Sequence, residues 1–442
     1  MICECEKCKN NSAFEMPKEL VQAAESGELV LFCGAGISTE NKAVLPYSFY
    51  KEIQIELNET SDSCSFPALM QRFCDLPDGR KKLLKKIRER FSYIHAFPEL
   101  ERAATAFHRE LSTIYPIRTI LTTNWDRYFE ECCAATPITI SQDFAFWNDR
   151  ERFVLKLHGS IDNLSTIVAT TTDYQECAQC LNTSIIGSTL KTIFATKTVV
   201  FIGFSFGDDD LNQILDYVRN EMKEVMPHIY IITIDNMLQE RLDYENATVI
   251  LTDGTFFLHK LKLLLIDDGI LLGDNACSVV EDALSTAVDF HNDTSSLDRR
   301  KYPDSIFTLA YQDGVIHALE RFQRRRITGE YNNPVNLRQL ICYYESTVET
   351  KLEKGFYWDA SYFEGYVNAL TLIAVSDHSP EEASHFPFFY LPNAARPLSS
   401  YDIYLDELKR LEQEPDEYSL YAQNVLKEYS PELVFHHRPL GG

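Results

Sequence analysis

A glycine-rich turn follows the first strongly apolar run of the chain. Residues 29–33 are all apolar, and Gly-Ala-Gly-Ile-Ser follows them at 34–38. Five apolar residues that stop at a glycine are typical of a buried parallel strand. Glycines at the strand exit let bare backbone approach a phosphate, whose charge the N-terminus of a following helix stabilises. A simple strand-to-loop turn uses the same residue types, so the alternatives are an ordinary turn or a nucleotide-phosphate site at Gly34, Ala35, Gly36 and Ser38.

Polar residues also follow four later apolar runs. In chain order they are Thr123, Asn124 and Asp126, then His158 and Gly159, then Gly203 and Ser205, and last Asp235. Each has an ordinary structural explanation, since Asn and Thr cap helices, Gly turns the chain and a lone His is commonly structural. In a doubly wound sheet, however, the carboxyl ends of the strands share one crevice. The recurrence of polar residues at these ends therefore favours a ligand site.

The spacing of apolar residues predicts strands and helices in alternation. Predicted strands cover 29–33, 117–124, 153–159, 198–205, 229–235 and 247–251. Predicted helices cover 17–27, 47–57, 81–90, 97–111 and 126–135, and residues 60–79 are expected to form a loop. This alternation indicates an α/β fold, a Rossmann-like doubly wound parallel sheet with crossover helices. The basic run at 81–90 could attract nucleic acid or an acidic partner, but we interpret it as the solvated face of a helix.

The pattern changes from about residue 286, where the strand and helix alternation ends. Residues 292–300 form a polar stretch, and helical periodicity follows at 306–326, 334–354, 360–376 and 401–428. The apolar segment 386–391 is expected to be a core plug or an interface. We therefore predict two domains, a nucleotide-binding one at 1–290 and a mainly helical one at 305–442 for assembly, partner contact or sensing.

The composition is ordinary for a globular protein, but the charge is strongly negative. The 442 residues are 45% hydrophobic and 24% charged, with a formal net charge of -24. Repulsion from phosphates makes direct nucleic-acid binding unfavourable. No apolar stretch reaches the roughly 18 residues of a membrane span, and the N-terminus lacks a secretory pattern. These features predict a cytoplasmic protein without direct membrane association.

Two groups of cysteines raise the question of a metal site. Cys3, Cys5 and Cys8 lie close together, and Cys177 and Cys180 form the one Cys-x-x-Cys pair in the body of the chain. A structural zinc site usually takes four ligands from two such pairs. The two groups could share a site, but free thiols in a reducing cytoplasm are the favoured interpretation. No metal is predicted.

Together the motifs resemble those of the sirtuin superfamily. Residues 34–38 match its Gly-Ala-Gly-x-Ser turn, and 123–126 stand where sirtuins have Gln-Asn-Ile-Asp. His158-Gly159 matches the catalytic His-Gly pair, and 203–205 matches the Gly-x-Ser loop. Order and spacing agree over about residues 20–260, so the C-terminal third lies outside the resemblance. The resemblance implies an NAD-binding domain.

Two features of protein-deacylating sirtuins are missing. Those enzymes hold zinc with two Cys-x-x-Cys pairs, whereas this chain has one, and their Asp-Phe-Arg segment is replaced by residues 44–49, which lack an arginine. Both losses are similar to those of divergent bacterial sirtuin-like domains of anti-phage defence systems, which hydrolyse NAD. The resemblance then implies an NAD+ glycohydrolase that depletes the host's NAD during infection. The alternatives are an NAD-dependent protein deacylase and a catalytically silent sensor of NAD or ADP-ribose.

The resemblance also assigns roles to residues. Nicotinamide leaves as a neutral ring, so cleavage needs no general acid, only a held water and support for positive charge on the ribose. Asn124 is expected to hold the water, His158 to accept a proton and Asp126 to orient the base or stabilise charge. Gly34, Ala35, Gly36 and Ser38 would bind the pyrophosphate, and Gly203, Ser205 and Asp235 the adenosine half. Thr123 is a further residue expected to bind NAD.

The sequence disfavours hydride transfer, and the related systems suggest partners. A dehydrogenase would place an acidic residue at a strand end about 20 positions after the glycine turn, but Glu52 and Glu56 fall in a predicted helix, which disfavours that reaction. The related systems imply a homo-oligomer and, as a partner, an ATPase of the HerA type or a phage-sensing protein.

Overall fold

The computed structural model describes the chain except for residues 1–4, 6, 9–10, 12, 60–63, 149–150, 205–208, 224–227, 237–245, 377–384, 429–435 and 440–442. The chain forms two compact units. The first comprises Met1–Asp268 with Ile327–Gly329, and the second comprises Gly269–Arg326 with Glu330–Gly442. The boundary predicted from the sequence, at 290–305, lies further along the chain than the division between Asp268 and Gly269. The reason is that the sequence analysis did not recognise the helix Asn275–Ser295. The roles assigned to the two parts stay predictions.

A parallel sheet forms the centre of the first unit. Its seven strands, within the described residues, lie in the order β3-β4-β2-β1-β5-β6-β7, and every pairing is parallel. β1 lies in the middle of the sheet, where the strand order reverses, and the predicted α/β fold is confirmed. The strands are β1 (Leu29–Cys33), β2 (Thr119–Thr122), β3 (Thr136–Ile138), β4 (Phe153–Lys156), β5 (Thr198–Ile202), β6 (Ile229–Thr233) and β7 (Ala247–Leu251).

Helices cover the sheet of the first unit. They are Lys18–Glu25, Phe49–Glu56, Phe66–Cys74, Gly79–Ala96, Pro98–Ala104, Ala106–Ser112, Tyr128–Cys133, Thr171–Thr183, Ile185–Thr196, Asp209–Met222 and Gly254–Asp267. Short 3-10 turns occur at Ala35–Ile37, Ser141–Phe146, Leu164–Thr166 and Arg326–Thr328. The inner strands β1, β5 and β6 and the strand β4 are buried, and Phe32 of β1 stacks on Phe201 of β5 with ring centroids 5.1 Å apart. A dry core of this kind explains why the strands are nearly continuous apolar runs.

Two predictions about this unit were wrong in detail. The stretch 60–79 is not a loop throughout, because Phe66–Cys74 is a helix that has Pro67 in its first turn and buries Leu69, Met70 and Phe73. Proline is favoured in the first turn of a helix, although the sequence analysis took it as a loop signal. The predicted helix 97–111 is two helices separated at Thr105, and β3 was missed because its three residues are too few for an apolar pattern.

The second unit is helical in its described residues. Its helices are Asn275–Ser295, Ser305–Arg325, Pro334–Glu353, Tyr357–Ser376, Tyr401–Gln413 and Glu417–Glu428, with a 3-10 turn at Glu330–Asn332. Pro415 divides the predicted helix 401–428, since the residue before a proline is pushed out of the helical conformation. None of the helices in the described parts of the chain is long and apolar enough to cross a bilayer.

The apolar segment 386–391 belongs to the core of the second unit. Phe389 and Leu391 are buried, and the backbone of the segment is tied to the helix Ser305–Arg325. The Thr308 hydroxyl donates to the Tyr390 carbonyl at 2.7 Å, and the Tyr311 hydroxyl donates to the Pro387 carbonyl at 2.6 Å. Of the two interpretations offered by the sequence, a core segment is therefore the one that the structure contains.

Candidate active site

The register of the central strands brings the predicted phosphate-binding residues to one edge of the sheet. Cys33, the last residue of β1, pairs with Thr122 of β2 and with Ile202 of β5. Both neighbours run parallel to β1, so the residues that come next along the three strands leave the sheet at one level. These are Gly34, Thr123 and Gly203.

The glycine turn packs directly on the loop that follows β5. The Gly34 N–H donates to the Ile202 carbonyl at 2.8 Å, and the Gly36 N–H donates to the Gly203 carbonyl at 2.9 Å. A Cβ on Gly34 or Gly36 would lie 2.8 or 2.7 Å from the Gly203 carbonyl oxygen, and Gly203 itself has φ +80°. The glycines are therefore required by contact between two backbones. Gly36 is exposed and Ala35 half-buried, which leaves the outer surface of the turn open to a ligand.

Asn124 bridges the ends of β1 and β2. Its side-chain Nδ2 donates to the Gly34 carbonyl at 3.2 Å and lies 3.5 Å from the Ser38 hydroxyl oxygen. Its backbone N–H is held by the Thr122 hydroxyl at 3.0 Å. The buried Asn124 Oδ1 has no hydrogen-bond partner among the described residues. Buried acceptors are nearly always satisfied, so this oxygen is a candidate contact for a water or ligand.

Asp126 binds both the backbone at the start of the next helix and the glycine turn. Its Oδ1 accepts a hydrogen bond from the Tyr128 N–H at 3.2 Å, at the start of the helix Tyr128–Cys133. Its Oδ2 accepts one from the Ser38 hydroxyl at 3.0 Å. Both Asp126 and Ser38 are buried. The Ser38 side chain therefore connects the glycine turn to Asp126, and its hydroxyl hydrogen is already used within the protein.

Lys156 binds the main-chain carbonyl of Asp126 and was missed by the sequence analysis. It is the last residue of β4, is 1% exposed and donates to the Asp126 carbonyl and, at 2.9 Å, to Glu130 Oε1. Burial raises the pKa of Glu130, and the Lys156 ammonium works against that rise. The available signal was a single charged residue inside the apolar run 153–157, which in a buried strand demands a partner.

His158 follows β4 at the same level as Asn124. Thr122 pairs with Lys156, so Asn124 and His158 each lie two residues beyond a paired position. His158 is buried, and its ring contacts Tyr174 edge to face at a centroid distance of 4.9 Å. Gly159 has φ +82°, and a Cβ there would lie 2.1 Å from the Thr166 carbonyl oxygen. The glycine of the His-Gly pair is therefore required by the turn that aims the chain away from the site.

Asp235 marks the other end of the site. It follows β6, is half-buried, and its backbone N–H donates to the Thr233 hydroxyl at 3.1 Å. Ser205 lies outside the described residues. Four strand spacings separate β4 from β6, which is about 19 Å. The line from His158 to Asp235 is long enough for an extended dinucleotide.

Arg90 fixes the loop that follows the glycine turn. Its guanidinium is buried, pairs with Glu40 Oε1 at 3.1 Å and donates to the carbonyls of Thr39 and Tyr47 at 3.3 and 3.0 Å. Glu40 in turn accepts from the Phe49 N–H. The interpretation of the basic run 81–90 as a solvated face therefore fails at Arg90, because its charge is buried against a carboxylate and backbone oxygens.

The Cys-x-x-Cys pair does not form a metal site with other described side chains. Cys177 and Cys180 lie on the helix Thr171–Thr183, where Cys180 is exposed and Cys177 Sγ is 3.5 Å from the Leu157 carbonyl oxygen. Within the described residues neither thiol belongs to a group of at least three metal-ligating side chains.

Part of the chain matches the model of a known protein family. Residues 118–251 match the family model described as a SIR2-like domain, which covers Thr123–Asp126, His158 and the loop after β5. The chain therefore contains a divergent SIR2-like domain, and the resemblance inferred from the motifs is confirmed.

Similar proteins have names that refer to defence and to NAD hydrolysis. The chain is 24% identical to Defense-associated sirtuin 2 of Bacillus subtilis over 283 residues, 62% of this chain and 26% of that protein. It is 30% identical to NAD(+) hydrolase ThsA of Cytobacillus dafuensis over 212 residues, 46% and 40% of the two chains. It is 26% identical to NAD(+) hydrolase ThsA of Enterococcus faecium over 269 residues, 57% and 55%. The chain thus spans about a quarter to about half of these relatives.

Proposed function

We propose that the first unit hydrolyses NAD+ to nicotinamide and ADP-ribose. The observation that carries the proposal is the buried Oδ1 of Asn124, which has no hydrogen-bond partner among the described residues although Nδ2 binds the Gly34 carbonyl. A neutral amide oxygen can accept a hydrogen bond from a water molecule and turn that water's lone pair toward an electrophilic carbon. The names of the relatives, NAD(+) hydrolase ThsA, support NAD as the substrate.

In the proposed reaction, water attacks the anomeric carbon of the nicotinamide ribose. The bond from that carbon to nicotinamide breaks, and its electron pair neutralises the pyridinium nitrogen. Asn124 Oδ1 holds the water, and the His158 imidazole takes the proton that the water loses, since imidazole titrates near neutrality. The Asp126 carboxylate, which accepts from the Ser38 hydroxyl while Lys156 binds the Asp126 main-chain carbonyl, supports the positive charge that develops on the ribose.

NAD would lie across the carboxyl ends of the central strands. The pyrophosphate would contact the turn that contains Gly34, Ala35 and Gly36, together with Ser38 and Thr123, where backbone carries the binding. The adenosine half would extend over β5 and β6, toward Gly203, Ser205 and Asp235.

The proposed role of the reaction is depletion of NAD in the cytoplasm of an infected bacterium. The name Defense-associated sirtuin 2 supports a defence setting. Because such an activity would harm its own cell, we propose that it is low until triggered and is controlled by a homo-oligomer or by a partner such as an ATPase or a phage sensor. An assay of nicotinamide release with and without an acetylated peptide separates hydrolysis from peptide-dependent deacylation, and absence of release under both conditions favours a silent sensor.

Substitution of Asn124 tests the catalytic assignment. Asn124→Ala removes the amide that would hold the water, and His158→Ala removes the proposed base. We expect nicotinamide release to fall about a hundred- to ten-thousand-fold in either variant. NAD affinity, measured by calorimetry, should change far less, because the backbone of the glycine turn remains.

A matched control separates catalysis from stability. Asn333 caps the helix Pro334–Glu353 by accepting from the Val335 N–H at 2.9 Å, so Asn333→Ala removes an amide with a known structural role. We expect it to cost about 1 kcal/mol of stability and to leave turnover unchanged. A folded Asn124→Ala protein with wild-type turnover would contradict the role given to Asn124, and the same outcome for His158→Ala would contradict the role given to His158.

A further inference from the structure

A cluster of metal-ligating side chains lies outside the site described above, in the first unit. Cys5 Sγ is 3.2 Å from Nε2 of His259, and these two atoms and Cys8 Sγ all lie within 4.8 Å of one another. His259 is a buried residue of the helix Gly254–Asp267, and the two cysteines are half-buried. The fold thus joins residues that are more than 250 positions apart in sequence.

The chemistry of this cluster suits zinc. Thiolate and imidazole ligands together favour Zn²⁺ over Mg²⁺ or Ca²⁺, which prefer oxygen. Zinc–sulfur and zinc–nitrogen bonds of about 2.3 and 2.0 Å in a tetrahedral site place the sulfur and nitrogen roughly 3.5 Å apart. The observed separation of 3.2 Å between Cys5 Sγ and His259 Nε2 is close to that value.

The surroundings of His259 have the pattern of a metal-bound histidine. Its Nδ1 lies 2.9 Å from Oε1 of Glu110, a buried residue of the helix Ala106–Ser112. The other carboxylate oxygen of Glu110 pairs with Lys7, which lies between the two cysteines in sequence. A carboxylate that accepts the Nδ1 hydrogen keeps the lone pair of Nε2 available to a metal ion.

We propose that Cys5, Cys8 and His259 bind a zinc ion, with Glu110 positioning His259. The ion would join three separate segments of the first unit: the N-terminal segment, the helix Ala106–Ser112 and the helix Gly254–Asp267. A tetrahedral ion takes four ligands, of which these residues supply three. The sequence analysis predicted no metal because it looked for a second cysteine pair, whereas here a distant histidine completes the group. The proposal does not depend on NAD hydrolysis.

Zinc content of the full-length chain tests the proposal. The wild-type protein, purified without chelator and desalted, is expected to hold zinc at this site at a stoichiometry of about one per chain. Cys5→Ser, Cys8→Ser and His259→Gln should each lose it, measured by plasma mass spectrometry. Cys177→Ser and Cys180→Ser are the matched controls, since they remove thiols of the other pair, and they should keep it. Equal zinc content in the ligand variants and the wild type would overturn the site.

Cobalt gives a second measurement that does not require the variants to fold. Wild-type protein reconstituted with Co²⁺ should show thiolate-to-cobalt charge-transfer absorption. A second cluster that could hold a metal, His291, Asp313 and His436 in the second unit, contains no sulfur and would not give this band. Absence of the band from the wild type after reconstitution would overturn the proposal.

Glu110→Gln separates a positioning role from a merely structural one. It keeps all three ligands but weakens the acceptor for Nδ1 of His259. We expect zinc affinity to fall about 10- to 100-fold, measured by competition with a chromogenic chelator, while the charge-transfer band stays present at saturating cobalt. Unchanged affinity would contradict the role of Glu110.

Discussion

His108 is a histidine that the first unit keeps uncharged. It lies on the helix Ala106–Ser112 with no exposed surface, and its ring contacts those of Tyr128 and Phe129 at centroid distances of 5.4 and 4.5 Å. Burial lowers the pKa of His108 to about 4, although the nearby Asp126 carboxylate favours the charged form. The unfolded chain takes up this proton near pH 6.5, whereas the folded chain does so only near pH 4.

This difference predicts how stability depends on pH. The folded pKa is lowered, so the contribution of His108 is fully present above about pH 6.5 and is lost as the pH falls toward 4. Between pH 7 and 4.5 the wild type should lose about 2–3 kcal/mol through this residue. His108→Phe keeps an aromatic ring in an aromatic site and should lose that much less over the same range. Urea unfolding at a series of pH values measures the difference.

The control for this prediction is a histidine on the surface. The side chain of His95 is 73% exposed, so His95→Phe should leave the pH dependence of unfolding close to that of the wild type. Parallel stability curves for the wild type and His108→Phe would show that His108 is not the group responsible.

At the same scale, the sequence predicted which residue types meet but not what they contact. Gly34 and Gly36 were predictable from their position after an apolar run. That they pack against the Gly203 carbonyl was not, because the contact depends on a strand about 170 residues later. The lack of a partner for Asn124 Oδ1 among the described residues was also not predictable from the sequence. It depends on the orientation of the amide, which is set by the hydrogen bond from Nδ2 to the Gly34 carbonyl after β1.

At the scale of elements, one arginine links the segments that lead into β2, β3 and β4. Arg152 directly precedes β4, is buried, and donates through Nε to the Ile117 carbonyl at 2.9 Å. Its two terminal nitrogens donate to the carbonyls of Cys133 and Ile114 at 3.1 and 3.0 Å. The carbonyls of Ile114 and Ile117 lie before β2, and that of Cys133 lies before β3. One guanidinium group therefore supplies hydrogen bonds to two separate connections of the sheet.

Arg152→Met should therefore destabilise the first unit without altering its chemistry. Each buried carbonyl left without a donor costs about 1 kcal/mol or more, so we expect a loss of roughly 3 kcal/mol or more in the free energy of unfolding. Turnover per folded molecule should stay near wild type, because the candidate site is at the opposite ends of the strands. Arg88→Met, at an exposed position, is the control and should change neither quantity. A stable Arg152→Met protein would contradict the prediction.

The elements themselves were largely predictable. The bounds of β1 and β7 agree with the predicted strands 29–33 and 247–251. For β1 the reason is that a buried parallel strand is apolar throughout. The other predicted strands ran two or more residues too far at their carboxyl ends, into the loops that carry Asn124, His158 and Asp235. The residue types of these loops continue the pattern of the strands before them, but β2, β4 and β6 end at Thr122, Lys156 and Thr233.

At the scale of the whole molecule, the division of the chain decides where it can be cut. The helix Asn275–Ser295 buries Val280, Ala283 and Ala287 in the core of the second unit. A chain that ends at residue 290 would keep most of this helix but lose the helices on which its apolar side packs. A chain that ends at Asp268 lacks the helix as well as the core in which it packs. The proposed control by the helical part is therefore best tested by truncation at Asp268.

We expect the chain that ends at Asp268 to differ from the full chain in assembly or in basal NAD cleavage. The physical reason is that the second unit has a core of its own and contains none of the proposed catalytic residues, which leaves assembly or control as its contribution. Light scattering and nicotinamide release measure the two quantities. If a folded truncated protein equals the full chain in both, the second unit does not regulate the first.

The central position of β1 has a consequence for synthesis of the protein. β1 is made early, yet its partner β5 begins at Thr198, about 165 residues after β1 ends. At about 5–20 residues per second, the nascent chain carries an apolar strand with at least one unpaired edge for roughly 10–30 s. The crevice between the glycine turn and Gly203 cannot exist during that time. A messenger that stops before the codon for Gly203 therefore yields a glycine turn without the backbone on which it packs.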